Sequence, residues 1–472
     1  MTDAPTLRVT AIDFFERPVV LRMPFRFGVV TMTQAPQCFV RARIRLADGR
    51  EGAGWAAEVL APKWFDKDPA LSNEDNFDQL RRAQGLAAGL YRAAGADTAF
   101  GLHLAAARDH RPACAEAGLP PLVQSFGQAL IDRAILDALL RLSGTDVFAG
   151  MQANIAGMTV AGAPDLDGFD IAAFLAGLRP APDIAARHTV GLVDPIEAGD
   201  QAPGSRLDDG LPETLREVVA QYGVTHFKLK VGGDAEADID RLCRIAAVTD
   251  GVPGAVATLD GNEQYDDVAQ VIALWRRIEQ EPRLAQLRDA IAFIEQPIAR
   301  ARALSEDVSA LAALRPVEID ESDGSDAAFP EARALGYTGV SSKSCKGIYR
   351  SLLNRARCAK WNAEGGDYFM SAEDLTTQAG LSVQQDLALA TLIGCTHVER
   401  NGHHYVFGMA AAPAAEQAAF RQAHPDLYRD RGGTACLRIE GGRIAIASLA
   451  QPGLGSGALP DPDGLSPMRY GG

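Results

Sequence analysis

The sequence predicts an α/β protein, a TIM-type (β/α)8 barrel preceded by a smaller α+β domain. Three observations carry this. Eight short apolar runs alternate with amphipathic helical stretches: "HTVGLV" from His188, "VTHFKLKV", "AVATLD", "AFIEQP", "VEIDES", "GVSSK", "DYFMS" and "THVER" ending at Arg400. Such even alternation is what a closed parallel barrel requires, and open sheets seldom repeat so regularly. Ahead of it, "LRVTAIDFFERPVVLRM" and "CFVRARIRLADGREGAGWAAE" read as antiparallel strands joined at an Asp48-Gly49 turn. Between these regions, from Asn73 to about Leu142, apolar residues recur every three or four positions, as in "ALIDRAILDALLRL", until Gly144 stops the pattern.

The predicted boundaries are 1–147 for the α+β domain, 148–404 for the barrel, and 405–472 for a C-terminal segment. "GMQANIAGMTVAGAPDLDG" reads as a loop, and "YVFGM" and "CLRIEGGRIAIA" as strands. The tail is too short to fold alone, so it is expected to pack on the barrel or return to the N-terminal domain.

Composition narrows the function. With 47% hydrophobic and 23% charged residues, the 472-residue chain suits a soluble protein with a large core. A formal charge of −15 argues against nucleic-acid and anionic-membrane partners, which select basic surfaces. Seven scattered cysteines without a C-x-x-C suit reduced thiols, and the N-terminus lacks a basic start and apolar core, so a cytoplasmic location is expected.

Barrel chemistry lies at the C-terminal ends of the strands. The second strand ends with Lys228 and Lys230, which share a face because side chains alternate. The third gives Asp260 and Asn262, the fourth Glu295, the fifth Asp320 and Glu321, and the sixth Lys343, with Lys346 just beyond. An acidic residue before a turn is more often a helix cap or a solvated end. Carboxylates from three adjacent strands, however, repel one another, and a hard divalent cation such as Mg²⁺ is the natural compensation. An ammonium crowded by another ammonium and a metal has its pKa lowered, so lysines at this position are expected to act as bases.

In this order and spacing, "KLK", "LDGN", "IEQP", "IDES" and the sixth-strand lysine resemble the enolase superfamily, within it the mandelate racemase/muconate lactonizing enzyme group and its muconate cycloisomerase subgroup. "AILDAL" and "PGLG" (452–455) are similar to the family's end of the capping domain and its C-terminal signature. The resemblance implies a modified barrel with an α+β capping domain built from the N-terminal region and the C-terminal tail. It implies Asp260, Glu295 and Asp320 as Mg²⁺ ligands, Lys230 and Lys343 as acid/base pair, Lys228 assisting the substrate carboxylate, and Asn262 and Glu321 as orienting groups. The implied reaction removes a proton α to a carboxylate through an enediolate, as in racemases, epimerases, cycloisomerases and syn-eliminating lyases. A small carboxylate is the expected partner and a homo-oligomer the expected assembly.

A sugar-acid dehydratase of the mandelate racemase type would need a seventh-strand histidine, where this chain has "DYFMSAEDL". A non-catalytic barrel would have little reason to keep all five groups, and phosphate binding by "VGGD" or "SCKG" rests on lone glycines. For the substrate, "RMPFRFGVVTMT" is the expected lid, with Phe25, Phe27 and Met32 as apolar contacts. Met370, Glu399 and Arg400 are expected near the distal group. His226, His397, His403 and His404 are expected to be chiefly structural.

Overall fold

A computed structural model describes residues 4–27 and 30–469, with the side chain of Phe27 outside that description. Strands β1 (Leu7–Phe27), β2 (Val30–Leu46) and β3 (Glu51–Val59) form an antiparallel sheet. The Asp48-Gly49 turn joins β2 to β3: Gly49 takes φ 91°, and the Asp48 carboxylate accepts from the Arg50 amide at 3.0 Å. Helices α1 (Asn73–Ala93) and α3 (Pro121–Ser143) pack on it, α2 (Ala99–Glu116) packs on both of them, and α3 is buried along most of its length. At Gly54 the sheet meets α3 backbone to backbone, since an added Cβ would lie 2.2 Å from the Ala138 nitrogen and 2.3 Å from the Ala134 oxygen.

The parallel strands are β4 (Asp183–Val190), β5 (His226–Lys230), β6 (Val256–Asp260), β7 (Ile291–Glu295), β8 (Val317–Ile319), β9 (Gly339–Ser342), β10 (Phe369–Ala372) and β11 (His397–Arg400). Their order is β10-β9-β8-β7-β6-β5-β4-β11, and the end strands β10 and β11 come into contact as the sheet curls round. The first strand begins five residues before the "HTVGLV" run. The stretch read as a loop begins inside a helix, Val147–Gln152, and a second short helix, Ile171–Ala176, follows just after it. Helices of six residues are too short to show a period, and the capping carboxylates of Asp146 and Asp170 start them.

In the C-terminal part, β12 (Tyr428–Arg431) pairs with β13 (Thr434–Leu437), β14 (Arg443–Ala445) lies antiparallel on β4, and β15 (Ser466–Pro467) lies on β1. "YVFGM" forms no strand. Its first residue closes the helix Gly402–Tyr405, and the Tyr405 ring stacks on Phe25 at 4.2 Å. "AILDAL" and "PGLG" meet: Asp137 accepts from the Trp55 amide at 2.9 Å and the Leu454 amide at 2.7 Å, so one buried carboxylate ties α3 to β3 and the tail. Gly453 has φ 113°, and a Cβ there would stand 2.6 Å from Asp137 Oδ1.

All seven cysteines are free and buried. Among the described residues, no helix is long and apolar enough to cross a membrane. His188, on the outer face of β4, sits with ring centroids 5.0 Å from His404 and 5.6 Å from His403. Burial pushes His188 down to about 3, and burial together with neighbouring histidines holds His403 and His404 well below the usual range.

Two outcomes follow from this packing. Gly54→Ala must force β3 off α3 and should destabilise the protein by about 1–3 kcal/mol, read as a lower denaturation midpoint. The three histidines stay neutral when folded but bind protons when unfolded. Stability should therefore fall as pH drops below about 6.5, by up to ~1.4 kcal/mol per pH unit for each histidine. Urea titrations between pH 7 and 4.5 should show a shallower slope in His403→Leu; an equal slope would count against this account.

Candidate active site

Strand alternation directs one series of polar residues into the barrel, and nearly all are fully buried. Lys228 on β5 is 1% exposed. Its Nζ lies 2.9 Å from Asp260 Oδ2, 2.8 Å from Glu295, 2.7 Å from Glu373 and 3.1 Å from Glu399. Lys230 donates to Asp260. Across the mouth, Lys343 donates to Asp320 at 2.7 Å, while Lys346 reaches Asp320 at 3.3 Å and Asp323 at 3.2 Å. The indole of Trp64 covers Lys343, with the ammonium 4.7 Å from the ring centroid.

The turns that present these groups are unusual. Asn262, Glu263 and Gln296 have φ of 42°, 68° and 32°, a region few non-glycine residues visit. Gln296 is held by four hydrogen bonds. Its Oε1 accepts from the Asp320 amide at 2.8 Å and the Ser322 amide at 3.0 Å, and its Nε2 donates to Ile298 O at 2.9 Å and Ser322 Oγ at 2.8 Å. The glutamine of "IEQP" thus fixes the backbone of Asp320. Asn262 donates to Glu321 at 3.0 Å, and burial plus the Asp320 charge push the Glu321 carboxyl up to about 7.

Lys228 and Lys343 are both held above the usual lysine range by the carboxylates around them. Burial opposes their charge, but Asp260, Glu295, Glu373 and Glu399 outweigh it at Lys228, and Asp320 does so at Lys343. The neighbouring carboxylates decide the sign. Asp260 and Asp320 are correspondingly depressed, their lysines overcoming burial. Glu295 goes the other way, raised by burial and by the Asp260 and Glu373 charges.

Glu295 Oε2 has no hydrogen bond among the described residues, although Lys228 Nζ is 2.8 Å away. The Lys228 ammonium is shared among four carboxylates, and Glu295 Oε1 takes its hydrogen bond at 2.8 Å. This all-oxygen, water-excluded donor set suits a hard divalent cation such as Mg²⁺. Asp260, Glu295 and Asp320 stand on adjacent strands around Lys228, Lys230 and Lys343. Among the described residues, the group whose oxygens lie within 4.8 Å of one another is different: Glu295, Glu318 and Glu373.

A closed pocket at the mouth is lined by Lys228, Lys230, Asn262, Lys343, Asp374 and Glu399, with Phe25, Ala61, Trp64, Leu375, Thr376 and Asn401 completing it. Phe25 and Glu399 both line this pocket. Met32 is buried in the core and Met370 packs against it, neither lining this pocket. Arg400 faces outward to Asp386. His403 and His404 belong to the cluster outside the barrel, and His226 and His397 sit together with centroids 5.0 Å apart.

Glu318, Glu373, Arg187 and Trp64 escaped the sequence reading. Glu318 precedes Asp320 by two positions and Glu373 follows Ser371 by two, so alternation alone places them inside the barrel. Arg187 donates to Glu373 and lies 2.6 Å from His397 Nδ1. Trp64 comes from the loop after β3, and no strand-end rule reaches it. Arg300 anchors that loop, donating to Trp64 O at 2.8 Å and Phe65 O at 3.1 Å while paired with Glu263 at 2.8 Å.

The chain is similar in fold to several solved structures. A dipeptide epimerase from Enterococcus faecalis V583, complexed with Mg and L-Leu-L-Tyr, matches with TM-score 0.61 and 14% identity over 97% of this chain and 99% of that one. A 2-chloromuconate cycloisomerase from Rhodococcus opacus 1CP matches with TM-score 0.57 and 17% identity over 97% and 98%. An enolase superfamily member from Roseovarius nubinhibens ISM, complexed with magnesium, matches with TM-score 0.54 and 20% identity over 98% and 99%. No curated protein matches the sequence. The family description "enolase C-terminal domain-like" matches residues 210–459, more than half of the chain, and the protein belongs to the enolase superfamily.

Proposed function

We propose that this protein is a Mg²⁺-dependent enzyme that moves a proton at the carbon α to a substrate carboxylate, using Lys230 and Lys343 as its acid/base pair. The observation that carries this reading is their placement: both line one pocket, Lys230 resting on Asp260 and Lys343 on Asp320. Two ammonium groups approaching from different strands suit racemisation or epimerisation, cycloisomerisation, or a syn elimination.

Asp260, Glu295 and Asp320 are the residues that would hold the ion, which when bound supplies Lewis-acid stabilisation of negative charge on the substrate carboxylate. Lys228, fixed among four carboxylates, presents a permanent positive charge to the same end of the substrate. The α-proton passes to Lys230 Nζ in its neutral amine form, which becomes an ammonium, while the Lys343 ammonium gives a proton to the opposite face of the carbon and becomes the amine; for the opposite enantiomer the two protonation states and roles exchange. Trp64 covers Lys343 and keeps water from its ammonium, so the proton held there is directed into the pocket. Glu321 and Asn262 hold each other and keep the turn after β6 in place.

Incubation with Mg²⁺ in D₂O against a carboxylate library should give α-deuteration visible by NMR. Lys230→Ala and Lys343→Ala should each lower the rate about 10²- to 10⁴-fold, the usual worth of a positioned acid or base. Undiminished exchange in both variants would refute the two-lysine assignment. In calorimetric titrations, Glu295→Gln should weaken Mg²⁺ binding. The metal-free variant should melt no lower than wild type, because burial and neighbouring carboxylates already disfavour the Glu295 charge.

A further inference from the structure

The pocket wall formed after β10 and by the end of β11 carries two carboxylates and one amide whose hydrogen-bonding states differ sharply. An ionised carboxylate offers about four lone-pair sites. Glu399 fills all of its sites: Oε1 accepts from Thr189 Oγ1 at 2.5 Å and Asn401 Nδ2 at 3.4 Å, and Oε2 accepts from Lys228 at 3.1 Å and the Asp374 amide at 2.9 Å. Asp374 is filled likewise. Its Oδ1 accepts from the amides of Leu375 (2.9 Å) and Thr377 (2.8 Å), and its Oδ2 from those of Asn401 (2.8 Å) and Gly402 (3.3 Å). Arg400 adds an ion pair to Asp374 at 3.3 Å. These two acids are committed to holding the loops after β10 and β11 together.

Asn401 is the opposite case. It lines the same pocket and is 2% exposed, yet its Oδ1 has no hydrogen-bond partner among the described residues. Its Nδ2 points to Glu399, which fixes the amide so that the oxygen is the free end. A buried acceptor without a donor is costly, so a ligand that supplies one is favoured. The remaining walls, Phe25, Ala61, Trp64 and Leu375, are apolar.

We propose that the substrate is a carboxylate carrying an apolar or aromatic body and a neutral N–H or O–H donor, given to Asn401 Oδ1, and that an ammonium in that position is rejected. This rests on the reading of the pocket as the substrate site. A buried ammonium needs several acceptors to replace its water, and here it would meet the single Asn401 Oδ1, because both carboxylates of this wall are full. Asn401 is thus a specificity residue acting by direct contact with that donor.

The test is calorimetric binding to the Mg²⁺-loaded protein of four acids that share one phenylalanine-like skeleton: N-acetylphenylalanine, 3-phenyllactate, phenylalanine and 3-phenylpropionate. The two neutral-donor acids should bind at least tenfold more tightly than phenylalanine and than the donor-free 3-phenylpropionate. Asn401→Ala should erase that advantage while leaving 3-phenylpropionate unchanged, and Asn401→Asp should narrow or reverse the preference over phenylalanine. Equal binding of phenylalanine and its acetylated form overturns the proposal. So does equal binding of 3-phenyllactate and 3-phenylpropionate, or failure of the folded, Mg²⁺-loaded protein to bind either neutral-donor acid. Exchange of the α-proton, followed in the same samples, separates the two readings. The predicted order of affinities without exchange removes only the proton-transfer reading, and exchange without that order removes only this one.

Discussion

Inside the barrel mouth, the ammonium of Lys228 lies within 3.1 Å of carboxylates from Asp260, Glu295, Glu373 and Glu399, and none of these groups has access to water. Each charge taken from water costs several kcal/mol, which only close, well-directed partners offset. The carboxylates of β6, β7 and β11 and the one that follows β10 are therefore held around one cation. Removing the Lys228 ammonium would typically cost about 3–5 kcal/mol, because the carboxylates are left facing one another uncompensated. Lys228 is in this sense the keystone of the mouth, and Lys230 rests on Asp260, one of the carboxylates it holds.

A second constraint comes from the N-terminal domain. Trp64 and Phe25 reach the pocket from the loop after β3 and from the tip of β1, and each is tied to the barrel by contacts outside the pocket. Arg300 and Glu263 hold the Trp64 loop, and Tyr405 stacks on Phe25. Arg22 pairs with Asp209 at 2.6 Å and donates to His404 O at 2.9 Å, bringing the β1–β2 hairpin onto the loop after β4. The pocket is thus closed by two separate chain segments, each latched by an arginine. An enzyme that stabilises developing negative charge gains from such closure, because excluded water strengthens every electrostatic contact inside.

Much of this was legible in the sequence. The period-two pattern of each barrel strand fixed which residues share a face, so Lys228 with Lys230, and Asp260, Glu295 and Asp320, could be named from their positions at strand ends. The same alternation pointed to Glu318 and Glu373, which a search confined to the last residue of each strand passed over. Short helices at Val147–Gln152 and Ile171–Ala176 showed no period, and "YVFGM" looked like a strand until Tyr405 found Phe25. Tertiary contact overrode local pattern in that case.

The sequence by itself determined the barrel, the acidic and basic strand ends and the family they resemble, because these follow from local periodicity and residue order along single strands. The tertiary structure decided what no single strand contains. It set the sign of the lysine pKa shifts, which depends on carboxylates brought in from four other strands. It placed Trp64 over Lys343, which depends on a loop of another domain. It also separated Asp374 and Glu399, already saturated with hydrogen bonds, from Asn401, whose acceptor is open. Charge and hydrogen-bond balance are sums over neighbours, and neighbours distant in sequence are assigned only when the chain folds.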